Sequence, residues 1–130
     1  MKTIDVEIGH MLGRTLARVD TDGILLTTEL TFVTTEGDTY IMDHERECCE
    51  TVFLEDVAGD LQDLVGSPIV RAEKRRNIGT YTYEDSDEEL AIWTFYELAT
   101  NKGSVTLRWC GTSSGPYSVE VDLSFTPASE

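Results

Sequence analysis

From Tyr117 to Phe125 the chain alternates without a break. Tyr117, Val119, Val121, Leu123 and Phe125 are apolar, and Ser118, Glu120, Asp122 and Ser124 between them are polar. Successive side chains of a strand point to opposite faces, so this period of two predicts a strand with one buried and one wet face. The same pattern recurs upstream, where Val105, Leu107 and Trp109 alternate with Ser104, Thr106 and Arg108. Leu90 to Ala99 is apolar on both sides, with Ile92, Trp93, Phe95 and Tyr96, as expected of a central strand covered on both faces. Asn101-Lys102-Gly103 supplies a short turn and Gly111 to Pro116 a longer loop, which gives three consecutive antiparallel strands.

The N-terminal half carries weaker versions of the same signal. Ile24, Leu26, Leu30 and Phe32 line one face of a strand, and Glu36-Gly37-Asp38 turns into a second strand at Thr39 to Met42. Val52 to Val57 reads as another strand, and a further one is expected after Gly13. One short helix is expected over Asp60–Val65: Asp60 is an N-cap, Leu61, Leu64 and Val65 share a face, and Gly66 and Pro68 end it. Pro68 to Lys74 is extended again, and Glu84 to Glu89, with five acids in six positions, is an exposed loop. The expected fold is α+β and predominantly β: one antiparallel sheet, or two packed sheets, of about six to eight strands with that one helix.

A chain of 130 residues is the size of one domain and can bury a core without a disulfide or a structural metal. It contains no apolar run of the ~18 residues a membrane span requires, and its first residues lack a signal-peptide pattern. Three cysteines, Cys48, Cys49 and Cys110, are an odd number for a disulfide framework, and adjacent Cys48 and Cys49 bridge only with strain. Free thiols in a reducing compartment, and hence a cytosolic protein, are expected. Charge is the most unusual property: 10 Lys and Arg face 25 Asp and Glu, a formal net charge of −15. Such a field repels nucleic acid and anionic membranes, and it draws in basic partners.

Asp43-His44-Glu45-Arg46-Glu47-Cys48-Cys49-Glu50 is the densest polar cluster. His44 and Glu50 are the weak candidates for a metal, but there is no Cys-x-x-Cys and no second nearby His. A cysteine nucleophile with His44 as its base is disfavoured, because Glu45, Glu47 and Glu50 raise a thiol pKa. Glu50, Glu55, Asp56, Asp60 and Asp63 crowd one stretch and offer oxygen to Ca²⁺ or Mg²⁺, but Asp56, Asp60 and Asp63 do not fit the ligand spacing of a calcium-binding loop. No phosphate-cradling glycine loop is present, so no cofactor is expected.

The segments Asp43-His44, Cys48-Cys49-Glu50, Glu55-Asp56, Gly59-Asp60-Leu61 and Gly66-Ser67-Pro68, with Trp93-Thr94-Phe95-Tyr96 and Arg108-Trp109 further on, carry a resemblance. From about Gly9 to Phe125 the chain resembles a family of small domains of unknown function found mostly in bacteriophages and prophages. Members of that family typically have His-Asp near the cysteine pair, whereas here Asp43 precedes His44 and Glu45 follows it. The resemblance implies a phage accessory protein made in the host cytoplasm and brings no established catalytic residue or ligand.

Three functions are compatible with these residues. The first is a non-enzymatic binder, an anti-defence inhibitor that presents an acidic, nucleic-acid-like surface to a basic host protein. Its surface would comprise Asp43, Glu45, Glu47, Glu50, Glu55 and Asp56 with Glu84, Asp85, Asp87, Glu88 and Glu89. The second is a sponge for a small nucleotide signal, held by Arg71, Lys74, Arg75, Arg76 and Arg108. The third is a metal-dependent hydrolase that uses His44 with Glu50 or Asp56.

Overall fold

The computed structural model describes residues 2–22, 27–47, 49–82, 88–113 and 118–128. Among them nine strands form: β1 (Ile4–Asp5), β2 (Leu16–Thr21), β3 (Leu30–Thr34), β4 (Thr39–Asp43), β5 (Thr51–Ala58), β6 (Arg71–Thr82), β7 (Glu88–Thr100), β8 (Gly103–Ser113) and β9 (Asp122–Thr126). They build two antiparallel sheets, one ordered β1-β9-β4-β3-β2 and the other β5-β8-β7-β6. Both sheets turn their apolar positions into one shared core, with Phe32, Tyr40, Met42 and Leu123 from the first and Tyr96, Leu98, Leu107 and Trp109 from the second. The predominantly β class is therefore the architecture found, in its two-sheet form.

Local chemistry sets the ends of these elements. Thr34 and Asp38 close the β3–β4 hairpin, and Gly37 between them takes a φ of +92°, a left-handed conformation that side chains resist. The expected helix is shorter than its sequence pattern: one 3-10 turn over Leu61–Leu64, with the Asp60 side chain accepting a hydrogen bond from the Gln62 N–H. One turn is as much helix as fits, because Val65 bridges to Leu16 and Pro68 to Thr15 immediately afterwards.

Several boundaries differ from the sequence expectation. The loop expected to begin at Gly111 is strand as far as Ser113, because Gly111, Thr112 and Ser113 pair with β7. Glu88 and Glu89 belong to β7 and not to a loop, paired with Thr82 and Tyr81, while Glu84, Asp85 and Asp87 lie outside the described residues. Of the strand expected over Tyr117 to Phe125, Tyr117 lies outside the described residues and the ladder takes in Asp122 to Phe125, since residues 118–121 lie against the second sheet with Val119 over Gly111. No second layer covers the outward face of β7 among the described residues. Trp93 and Phe95 are half-buried there under polar side chains of their own sheet: Trp93 Nε1 donates to Glu55, and the Arg75 guanidinium sits 4.2 Å from the Phe95 ring centre. No described helix is long and apolar enough to cross a membrane.

Candidate functional site

Residues 44–47, 49 and 50 link β4 to β5 without joining a strand, so their side chains are not held to strand alternation. His44 turns inward, and its side chain is 6% exposed while that of Glu50 is fully buried. His44 Nε2 lies 2.8 Å from Glu50 Oε2, and His44 Nδ1 lies 2.8 Å from the carbonyl oxygen of Glu120. A carbonyl can only accept, so Nδ1 carries a hydrogen, and one further proton bridges Nε2 and the carboxylate. Burial, the largest single effect, works against a charged His44. The hydrogen bonds to Glu50 and Glu120 and the charges of Glu50 and Asp122 outweigh it, and the His44 pKa is raised. The pair is therefore imidazolium and carboxylate, and Glu50 Oε2 also accepts the Glu47 N–H at 2.8 Å.

This geometry corrects the sequence reading of Glu50, which is an interior group and adds nothing to an acidic surface. In this pairing His44 Nδ1 carries a hydrogen towards Glu120 and Nε2 shares one with Glu50, so the ring presents no free lone pair. Among the described residues no three His, Cys, Asp or Glu side chains are placed to share a metal. Asp56 sits on β5 opposite Arg108, in the other sheet.

The expectation of three free thiols is corrected at Cys49, which is exposed and disulfide-bonded. Cys48 lies outside the described residues. Cys110 is free and fully buried on β8. Burial, with Glu55 adding to it, pushes its thiol up to about 12, far from a nucleophile's range.

The acid that does face outward gathers at one end of the first sheet. Asp43 on β4 pairs directly with Asp122 on β9, and Asp5 follows on β1 beside Ser124. Burial first, then the charges of Glu29 and Asp122, raise the Asp43 carboxyl above its usual range; desolvation and then Asp5 do the same at Asp122. Like charges directly opposite each other on a ladder oppose folding by about 0.2–1 kcal/mol. Replacing Asp43 by Asn is accordingly expected to raise stability at pH 7 by about 0.5 kcal/mol. A carboxyl whose folded pKa is raised burdens the fold only where it is ionised. The gain should therefore vanish below about pH 4. Thermal unfolding at the two pH values measures it, and an unchanged or lowered melting temperature at pH 7 contradicts it.

Glu45 and Glu47 are exposed beside this pair. With His44, Arg46, Ser118 and Asp122 they line an open groove of about 540 Å³. A second groove of about 300 Å³, also lined by His44 and Arg46, reaches Thr28 and Thr51. Glu55 is on the other sheet, where it accepts from Arg108 and Trp93 and is not part of this acidic end. Sequence reasoning missed Asp5, Glu29 and Asp122 as members of the cluster. The alternation at Asp122 marks it as outward-facing, but nothing local to Asp122 marks Asp43 as its neighbour.

The five basic residues proposed to hold a nucleotide do not converge. Strand alternation on β6 sends Arg71 and Arg75 to one face and Lys74 and Arg76 to the other. Arg71 and Arg75 bind Glu97, Arg76 binds Glu120, and Arg108 binds Glu55. An anion would have to displace carboxylates at four of the five.

The model of a family described as a domain of unknown function, DUF7448, matches residues 9–123. The chain belongs to this family. The matched span contains Asp43, His44, Glu50 and Asp122 and begins after Asp5. No curated protein and no solved structure matches the chain.

Proposed function

We propose that this DUF7448 chain is a non-enzymatic phage accessory protein, acting in the host bacterial cytoplasm. It binds a basic host protein through the acidic end of its first sheet, and as an anti-defence inhibitor it occupies a surface that would otherwise hold nucleic acid. The observation that carries this reading is the Asp43–Asp122 pair, two carboxylates set directly opposite each other against the stability of the fold. A partner that brings positive charge relieves this repulsion on binding, so part of the cost in the free protein returns as affinity. His44 and Glu50 serve as a positioning pair: they fix the strand-to-strand link that carries Glu45 and Glu47, and they tie it through Glu120 to the chain entering β9.

The immobilised chain, challenged with a bacterial lysate at about 0.05 M salt, is expected to retain a basic protein and release it at about 0.5 M, where the screening length falls to a few ångströms. If nothing basic is retained at the lower salt, the proposal fails.

A further inference from the structure

The groove of about 300 Å³ beside His44 differs in charge from the acidic end around it. It is lined by Thr28, His44, Arg46, Glu50, Thr51 and Val52. His44 and Glu50, imidazolium and carboxylate 2.8 Å apart, cancel each other. That leaves the Arg46 guanidinium as the one unbalanced charge of this lining among the described residues. Arg46 is exposed and forms no ion pair among those residues, although Glu45 and Glu47 adjoin it in the chain. The larger groove shares His44 and Arg46 but adds Glu45, Glu47 and Asp122, so its lining is net negative. In a chain of net charge −15, a cavity wall of net positive charge is the exception.

The smaller groove is also built from fixed parts. The Leu54 N–H donates to the Thr27 carbonyl at 2.8 Å, which ties the segment before β3 to β5. Thr28 is held in turn by Asp22, which accepts from its N–H and from its hydroxyl. Glu50 is fully buried, and its Oε2 accepts from both His44 and the Glu47 N–H. Val52, 8% exposed, gives an apolar wall. Taking an ionised pair out of water is costly, and such pairs beside a preformed cavity are concentrated at binding sites.

We infer that this groove binds a small organic anion, with its carboxylate or phosphate group on Arg46 and its apolar body against Val52. The inference goes beyond the basic-partner reading and uses the one cation that reading leaves idle. A planar guanidinium meets either group through two parallel N–H donors. The Thr51 hydroxyl can donate to a further oxygen of the same group. A volume of about 300 Å³ is the lower end of the range for ligand pockets, so the body is limited to about one ring. A cation finds no free charge here, since Glu50 is answered by His44.

The test titrates the full chain with benzoate, phenyl phosphate and neutral benzamide while amide NMR shifts are followed. At least one of the two anions is expected to give saturable shifts centred on Thr28, Arg46, Thr51 and Val52. The tighter of the two tells a carboxylate site from a phosphate site. Benzamide should bind at least about tenfold more weakly, the scale of one charge-assisted hydrogen bond. Arg46→Gln changes an exposed residue, so the fold should be kept while anion affinity falls by the same factor. Arg18→Gln, which removes an exposed arginine of β2, should leave affinity unchanged. Shifts confined to the arginines of β6, equal affinity for benzamide, native affinity in Arg46→Gln, or no saturable response to either anion would each overturn the assignment. All four would leave the acidic-end reading standing, because that reading is tested by retention of a basic protein.

Discussion

Replacing Glu50 by alanine is expected to lower the unfolding free energy by about 3–5 kcal/mol, the range for removing one member of a buried charge pair. The carboxylate is fully buried, and two groups depend on it: the His44 ring, and the Glu47 N–H at 2.8 Å. Alanine leaves both facing a hole in the interior. Glu50→Gln keeps the shape and one acceptor oxygen and should cost less, about 1–2 kcal/mol. A pH signature separates this pair from mere packing. The folded pKa of His44 is raised above its unfolded value of about 6.5. Its contribution is therefore fully present below about pH 6.5 and is lost as pH rises through the folded value. Denaturant midpoints measured across this range should fall with pH in the native chain and stay flatter in His44→Ala. Equal slopes in the two proteins would contradict the imidazolium–carboxylate assignment.

Gly111→Ala is expected to be the most damaging single-methyl change, costing about 3 kcal/mol, the upper end of overpacking effects. A Cβ at Gly111 would lie 1.9 Å from the Val119 carbonyl oxygen and 2.8 Å from the Val119 Cβ. Gly111 is held by ladders on both sides, to Val52 and to Ile92, so the strand cannot yield and residues 118–121 must move away. Glu120, next in the chain, gives the carbonyl that fixes His44 Nδ1. The variant should therefore combine a large loss of stability with a lowered His44 titration, read from the imidazole NMR signals. Gly9→Ala is the control: its Cβ meets nothing within 4 Å, and it should leave both unchanged. Wild-type stability in Gly111→Ala would mean that residues 118–121 do not press on β8.

How far the sequence could be read follows from the range over which each signal acts. Alternation is local, so the strands around Trp109 and Tyr96 and the cap at Asp60 could be recognised in the chain itself. Where strands end was less legible. Gly111 has the look of a loop residue, and it is a glycine because another segment crosses it. The site followed the same rule. His44 and Glu50 were recognisable as a polar cluster, but their burial depends on Glu120, which packs against them from the far end of the chain. Glu50 therefore reads as surface acid when it is interior. The Asp43–Asp122 pairing arises from the placement of β9 beside β4, which no pattern near either residue encodes.

The central claim is that the Asp43–Asp122 end of the first sheet captures a basic protein. The most direct measurement is the association rate of the retained partner with the native chain and with the D43N/D122N double variant, across a range of salt. The account predicts that the variant associates at least about tenfold more slowly at low salt, with a flatter salt dependence, because steering charge has been removed. Equal rates and equal salt slopes for the two proteins would contradict it.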